Sequence, residues 1–383
     1  MLIGRRTAVG LFLLQAVLLS GCVRHLHTPY GGDRSQESSV RTAADTASMR
    51  PGPRDPTILT PRSDAPRPFL RPLPDGELDY GWHDGFLAWK PKPCTGAVEA
   101  SAKVMISRRP GPKRWVVVLP IWGSSIYPPR QISRRLLRGA KAADTNVLWI
   151  LGPDELFDWQ AMAEARTEAE YLKVVEQGAE CLAASVRDAR EWIDWIATRD
   201  DYHPDRLGLV GFSIGAIAAA TLVAVDPRPD ATALVMGGGR LEHIFASCRG
   251  DARFGRNAAS ERFGWTREEF LLRIEEPLSI VDPVGWLSLA GNKGPAVDPS
   301  TLFFVSATKD TCVPEISRDS LWIALGRPER LQLPYGHKMS FLSMTFLGLH
   351  HTSHRVLGFL DRMVDSSDRP PGPPDLTTPQ VPP

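Results

Sequence analysis

Three residue types that together perform nucleophilic catalysis occur in order along this chain. Ser213 lies at the centre of the pentapeptide Gly211–Gly215, and Asp310 and His337 follow it. A serine hydroxyl becomes a nucleophile when a neutral imidazole accepts its proton, and a buried carboxylate fixes the tautomer of that imidazole. The order Ser, Asp, His therefore predicts acyl transfer through a covalent intermediate on Ser213.

The segment around Ser213 has the pattern of a strand, a sharp turn and a helix. The apolar run Leu207–Val210 predicts a buried strand, and the Ala-rich stretch after position 215 predicts a helix. Side chains at positions 211 and 215 would collide in such a turn, so glycine is needed at both. The turn would expose the Ser213 hydroxyl and aim the Ile214 amide at an oxyanion beside it. The alternative is a purely structural turn.

This strand, turn and helix resemble the α/β-hydrolase superfamily, and more loosely its dienelactone-hydrolase and esterase-like members. The resemblance covers about residues 76–364. It implies a mostly parallel central sheet with helices on both faces, and a helical insertion over the active site. It also implies a carboxylic ester substrate, although thioesters and peptides are cleaved by the same constellation.

The resemblance assigns the acid of the catalytic triad to Asp310. The residue follows the apolar strand predicted for Thr301–Ser306 and precedes a Val-Pro pair that opens a helix. Its structural alternative is a helix cap or turn aspartate. Asp282, in the insertion, and Glu242, just past the preceding strand, are reserve candidates.

The resemblance likewise assigns the base to His337. This histidine follows the short strand predicted for Arg330–Leu333, and Gly336 allows the turn that returns the imidazole over the sheet edge. The alternative is a surface loop histidine. The chain from there to Val364 is expected to form the closing helix.

A second oxyanion donor is expected in the loop after the strand Trp115–Leu119. The superfamily commonly has His-Gly there, whereas this chain has Trp122 and Gly123, followed by Ser124. We therefore assign the donor only to one of these three residues, beside the Ile214 amide. A plain strand-to-helix loop is the alternative.

The remaining elements follow from alternating apolar runs and helical periods. Strands are expected within Ala97–Ile106, Asn146–Leu151 and Ala233–Met236, and helices at Ile132–Ala143 and Glu168–Thr198. Residues 239–299 are too apolar for a loop and are interpreted as a lid or a wall of the acyl pocket; the alternative is ordinary helices packed on the sheet.

The N-terminus has the pattern of an export signal. Two arginines precede an apolar stretch too short to span a bilayer, and the stretch ends at Leu19–Cys22. This ending resembles the bacterial lipobox, which implies lipidation of Cys22, removal of the residues before it and an anchor of several acyl chains. The alternative is an ordinary secretory signal. Val23 and Arg24 do not resemble an inner-membrane retention signal, so we expect the outer membrane, facing the periplasm.

Both ends of the mature chain are expected to lack structure. Residues 23–75 are rich in polar residues and proline, and they would act as a flexible tether spanning about 40 Å. Residues 366–383 form a proline-rich tail. The domain organisation is thus a signal peptide at 1–22, a tether at 23–75, a hydrolase domain at 76–365 and the tail.

The remaining cysteines are compatible with disulfides in an exported protein. Cys94, Cys181, Cys248 and Cys312 allow three pairings, which stay open. A bond between Cys248 and Cys312 would tie the insertion to the loop that carries the acid.

Composition excludes several other classes of protein. The 383 residues are 43% hydrophobic and 23% charged, with a formal net charge of +1, so no nucleic-acid partner is expected. No cofactor or metal is expected: His350 and His354 share a helix face, but no carboxylate or cysteine at a matching spacing completes a site.

These observations predict a lipid-anchored serine hydrolase, most consistent with a carboxylesterase acting on a small or lipid-like ester. The alternative is a hydrolase-like lipoprotein without catalysis, which binds a ligand or organises the envelope.

Overall fold

A computed structural model describes residues 26–28, 55–61, 68–72, 80–86, 102–121, 129–136, 138, 144–152, 156–291, 297–345 and 351–364. The predicted signal peptide, Cys22, the loop 122–124, Cys94 and the tail lie outside these residues. The strands are β1 Leu26–Thr28, β2 Phe69–Pro72, β3 Tyr80–Phe86, β4 Ala102–Ser107, β5 Lys113–Val118, β6 Thr145–Ile150, β7 Tyr202–Phe212, β8 Ala231–Val235, β9 Leu302–Ala307 and β10 Glu329–Leu333.

All ten strands belong to one sheet, in the order β1-β10-β9-β8-β7-β5-β6-β4-β3-β2. The six strands from β10 to β6 are parallel to their neighbours. β4, β3 and β2 extend one side antiparallel, and β1 pairs antiparallel with β10 on the other. Because the central strands are parallel, the carboxyl ends of β7, β9 and β10 meet at one edge, where ligand sites of such sheets form.

Helices cover the sheet and account for most of the remaining described chain. They are α1 Pro129–Leu136, α2 Trp159–Glu164, α3 Glu168–Ala197, α4 Ile214–Val225, α5 Leu241–Ser247, α6 Ala252–Phe263, α7 Arg267–Leu278, α8 Pro283–Gly291, α9 Glu315–Ala324, α10 His337–Thr345 and α11 His351–Val364. Within the described residues, no helix is both long enough and apolar enough to cross a bilayer.

Alternate residues of the central strands point to opposite faces of the sheet and belong to two separate hydrophobic cores. In β5, Trp115 and Val117 belong to the core that includes α3 and α4, whereas Val116 and Val118 belong to the core under α1 and α11. All six residues of β5 are buried, as expected for a parallel strand covered on both faces. The predicted fold class, a mostly parallel sheet with helices on both faces, is therefore confirmed.

The first helix after Ser213 is buried almost all round. Ten of its residues, Gly215 to Ala224, are buried, because α4 lies between the sheet, α3 and α8. The many alanines allow these elements to approach closely, and this packing fixes the position of the turn that precedes α4.

Three segments of the predicted tether differ from the expectation. β1 and β2 pair with the sheet, and residues Pro56–Leu59 form a 3-10 turn. The Leu59 side chain is buried in the core, and its carbonyl accepts a hydrogen bond from Arg190 Nη1 (2.5 Å). These contacts involve only a few residues each. The average composition of a 50-residue stretch, on which the prediction of a tether rests, does not reveal such short ordered segments.

The insertion at 239–299 contains the four helices α5 to α8. α7 packs against α3 and α8 packs against α4, with Phe270, Ile274 and Trp286 buried in the larger core. This arrangement is that of helices packed as an ordinary layer. The interpretation of residues 239–299 as a lid or a wall of the acyl pocket stays a prediction.

The expected single closing helix is instead two helices. α10 begins at His337 itself, and α11 packs across β7 and β8. His337 thus stands at the first turn of a short helix at the carboxyl edge of the sheet.

Candidate active site

Ser213 occupies a strained turn between β7 and α4. Its backbone lies at φ 52° and ψ −114°, in a region that few side chains adopt. A Cβ atom on Gly211 would lie 2.2 Å from the carbonyl oxygen of Gly215, and one on Gly215 would lie 2.1 Å from that of Pro120. Only glycine fits at either place. The turn is also tied to the neighbouring strand, because Ser213 N donates to the Val235 carbonyl (2.8 Å).

The serine hydroxyl contacts the predicted base. Ser213 Oγ lies 3.0 Å from His337 Nε2, within hydrogen-bond distance. These residues are 124 positions apart in the sequence, and they meet because β7 and β10 end at the same edge of the sheet.

The other nitrogen of His337 contacts the predicted acid. His337 Nδ1 lies 2.6 Å from Asp310 Oδ2. A carboxylate only accepts hydrogen bonds, so Nδ1 carries the hydrogen and Nε2 is left to accept the Ser213 hydroxyl proton. The geometry of the three side chains is therefore that of a nucleophile, a base and an orienting acid.

The two carboxylate oxygens of Asp310 have different partners, Oδ1 in its own loop and Oδ2 on His337. The residue is 6% exposed, and Oδ1 accepts hydrogen bonds from the amides of Cys312 (2.8 Å) and Val313 (2.9 Å). This arrangement combines the predicted orienting position with the turn-aspartate alternative. The same carboxylate closes its loop with one oxygen and reaches the imidazole with the other.

A buried arginine, Arg318, is hydrogen-bonded to the backbone of this loop. Arg318 Nη1 donates to the carbonyl oxygens of Val313 (2.9 Å) and Asp310 (3.5 Å). Burial lowers the pKa of Arg318, although the nearby Asp310 charge opposes the shift. The sequence carries no signal for this role, because an arginine in an amphipathic helix is ordinarily read as exposed.

A disulfide joins the acid loop to the insertion. Cys248, just after α5, is bonded to Cys312, two residues after Asp310. Of the pairings left open by the sequence, this is the one that ties the insertion to the acid. Cys181 is also disulfide-bonded.

The predicted oxyanion site is described only in part. Ile214 is the first residue of α4, where amides have no partner within the helix. Trp122, Gly123 and Ser124 lie outside the described residues, and the structure therefore does not test the second donor.

The reserve acids have other contacts. Asp282 accepts from the amides of Leu241 (2.9 Å) and Val284 (2.9 Å), at the starts of α5 and α8. Glu242 lies beside Arg240, with 3.3 Å between Oε1 and Nε. Asp310, in contrast to these two contacts, is hydrogen-bonded to His337.

One aromatic contact at the site was not predicted. The Phe341 ring meets the His337 ring edge-on, with the ring centroids 5.0 Å apart. Both residues lie on α10, four positions apart, a spacing at which side chains of a helix meet. Among the described residues, no group of three or more His, Cys, Asp or Glu is placed to hold a metal ion.

Comparisons with known proteins identify the fold. The structure resembles acetyl xylan esterase from Paenibacillus sp. R4, with a TM-score of 0.54 and 14% identity over 87% of this chain and 96% of that chain. It also resembles acetyl xylan esterase 1 from Thermoanaerobacterium sp. JW/SL YS485, with a TM-score of 0.56 and 14% identity over 81% and 98% of the two chains.

The class defined by these likenesses and by the sheet is the α/β-hydrolase fold, as the sequence predicted. No family model and no curated protein sequence matches this chain, so the likeness lies in structure alone.

Proposed function

We propose that this protein is a serine hydrolase that cleaves carboxylic esters through an acyl-enzyme. The observation that carries the proposal is the continuous hydrogen-bond chain from Ser213 through His337 to Asp310, with distances of 3.0 and 2.6 Å. Each group stands at the carboxyl end of a different parallel strand, the position at which α/β-hydrolases use them.

In this mechanism His337 Nε2 accepts the hydroxyl proton as Ser213 Oγ attacks the ester carbonyl carbon. The imidazolium is stabilised by the Asp310 carboxylate, and the oxyanion by the Ile214 amide together with a donor from the 122–124 loop. His337 then donates its proton to the departing alkoxide. A water molecule, activated by the same imidazole, releases the acid from Ser213.

The first substrates to test are acetyl esters. The two structural neighbours above are named as acetyl xylan esterases, and their names motivate this choice without extending their substrate to this chain. Nitrophenyl esters of graded acyl length would define the acyl preference.

We also propose that the protein is lipid-anchored through Cys22 in the bacterial envelope, in the outer membrane facing the periplasm. The support is the Leu19–Cys22 ending of the apolar N-terminal stretch. Metabolic labelling with an alkyne fatty acid tests this, because Cys22→Ala should abolish incorporation of the label.

Labelling with a fluorophosphonate probe tests the catalytic proposal. We expect wild-type protein to be labelled and Ser213→Ala to be unlabelled and to lose activity by about 10⁶-fold, as when one member of such a triad is removed. Ser185→Ala is a matched control, because Ser185 Oγ only donates to a carbonyl within α3 (3.1 Å). Absence of label on the wild-type protein would favour the non-catalytic alternative.

A further inference from the structure

The first strand, β1, begins at the catalytic edge of the sheet, the edge at which Ser213, Asp310 and His337 lie. β1 is antiparallel to β10, and Leu26 pairs with Gln332, next to the last residue of β10. The first residue of β1 therefore lies at the carboxyl end of the central strands. His337 follows Gln332 by only five positions along the partner strand and its loop.

The proposed lipid anchor is close to this point. Cys22 precedes Leu26 by four residues, which span at most about 14 Å when fully extended. A flexible tether of 53 residues, as predicted from composition, would have left the orientation of the domain free. Pairing of β1 with β10 shortens that tether to a few residues.

From this geometry we infer that the catalytic edge of the sheet faces the bilayer in which Cys22 is anchored, and that the enzyme takes its ester from the membrane interface. The inference rests on the proposed lipidation of Cys22. The occupant of this surface is the lipid headgroup region of the same leaflet.

The exposed side chains at this edge suit such a surface. Three large apolar side chains are exposed there: Ile316 at the start of α9 (38%), and Met339 (48%) and Leu342 (38%) on α10. They belong to the two segments that follow β9 and β10, the strands nearest β1. Exposed apolar groups beside a membrane anchor can enter the interface, where the hydrophobic effect favours them.

Charge at this edge is also compatible with anionic lipids. Lys309 and Lys338 are exposed beside Asp310 and His337, and Glu315 is the exposed carboxylate at the start of α9. Together with Arg249, which is exposed next to Cys248, the two lysines would attract an anionic leaflet, and Glu315 and Asp251 would oppose this attraction.

Photocrosslinking of the lipidated protein tests the orientation directly. Benzoylphenylalanine is introduced at position 339 and, as a control, at position 200, an exposed residue in the turn before β7 at the opposite end of the sheet. Each protein is placed in vesicles of phosphatidylethanolamine and phosphatidylglycerol. We expect about ten times more lipid adduct from position 339, because the two ends are separated by a strand length of about 20 Å.

A spacer insertion tests the role of β1. A glycine-serine linker of about 30 residues, spanning about 30 Å, placed between Cys22 and Leu26 should reduce the adduct at position 339 to the level of the control. The same linker placed after position 40 leaves Cys22 next to β1, and it should leave the adduct unchanged.

The activity assay separates the two proposals. With the linker before Leu26, hydrolysis of a long-chain ester embedded in the vesicles should fall about tenfold, since the reacting groups lose their proximity. Hydrolysis of a soluble short-chain ester should stay at the wild-type rate. Equal adducts at positions 339 and 200, in protein that carries the lipid label, would overturn the orientation and leave the catalytic proposal intact. Lack of the label on wild-type protein would overturn the anchor and this inference together.

Discussion

At the scale of single residues, the reactivity of Ser213 depends on two glycines that allow its backbone conformation and on Asp310, which contacts His337 rather than the serine itself. The left-handed backbone at Ser213 is possible because Gly211 and Gly215 let β7, α4 and the Pro120 carbonyl approach to contact distance. Asp310 binds Nδ1 of His337, and it thereby determines that Nε2 faces the Ser213 hydroxyl. The two requirements can be tested separately.

Asp310→Asn should lower kcat by about 10⁴-fold, because an amide can stabilise the wrong tautomer of the imidazole. The unfolding midpoint should change far less than the rate, since the Asn Oδ1 can still accept from the Cys312 and Val313 amides. Asp298→Asn is the matched control, because Asp298 is exposed and caps the 3-10 turn Pro299–Thr301. Comparable kcat in the two variants would contradict the role of Asp310.

Gly215→Ala should destabilise the protein by about 3 kcal/mol or prevent its folding, because the new methyl group would lie 2.1 Å from the Pro120 carbonyl oxygen. Urea unfolding measures the change. Gly250→Ala, at a position with nothing within 4 Å of the added Cβ, should alter stability by less than about 0.5 kcal/mol. A similar small effect at both positions would show that the turn can relax.

At the scale of elements, the site is assembled from loops that are braced by the insertion. The amide of Gly239 donates to the Ser317 carbonyl (2.9 Å), so the start of the insertion is bonded to α9. The Cys248–Cys312 disulfide adds a covalent link from the end of α5 to the acid loop. The insertion therefore positions Asp310 as well as covering the sheet.

Loss of the Cys248–Cys312 bond should lower the free energy of unfolding by about 2–4 kcal/mol. The double variant Cys248→Ser/Cys312→Ser should keep the amide that binds Asp310, and kcat should fall only a few-fold. Each single serine variant should match the double one, since either change already removes the bond. Single variants that are as stable as the wild type would show that the bond contributes nothing.

Elements with a strong local signal in the sequence were predictable, and elements that depend on short segments or distant contacts were not. Continuous apolar runs such as Trp115–Leu119 and the Ser213 turn are local signals, so β5, β7 and α4 were expected close to where they lie. β1 is three residues with one aliphatic side chain, too short for any period to be visible. The division of the closing segment into α10 and α11 is not predictable from a local signal, because no proline between positions 337 and 364 marks a helix end. The Arg318 contacts depend on loops that only the folded chain brings together.

At the scale of the whole molecule, an ion network joins segments that are far apart in sequence. Asp226, in the turn between α4 and β8, binds Arg228 Nη2 (2.5 Å) and Arg190 Nε (3.2 Å), and Arg228 Nη1 also binds Asp194 (2.6 Å). The guanidinium of Arg190 also holds the Leu59 carbonyl. The network thus links the N-terminal 3-10 turn to α3 and to the turn between α4 and β8.

This network predicts the acid response of the fold. Burial raises the pKa of Asp226, but the hydrogen bonds and charge of Arg228, with the Arg190 bond, outweigh it and leave that pKa below its ordinary value. A carboxylate with a depressed pKa stabilises the fold above its unfolded pKa of about 3.9, and this contribution is lost as pH falls through the folded value.

Asp226→Asn should therefore cost about 2 kcal/mol at pH 7, because the half-buried Arg190 and Arg228 lose the carboxylate that they share. The variant should lose less stability than the wild type on acidification below about pH 4. Urea unfolding between pH 7 and pH 3 measures both effects. Asp201→Asn is the control, since its pair with Arg199 is partly exposed and should contribute less than about 1 kcal/mol. Parallel pH profiles for wild type and Asp226→Asn would contradict this account.

The placement of β1 has a consequence for the order in which the chain can fold. Its partner, β10, is made from residues about three hundred positions later, so this pair cannot form until Leu333 has been synthesised. Contacts of such long range form slowly, because a very large loop must be closed first. The outer edge of the sheet is thus paired last, and the newly made chain exposes an unpaired β10 until β1 adds to it.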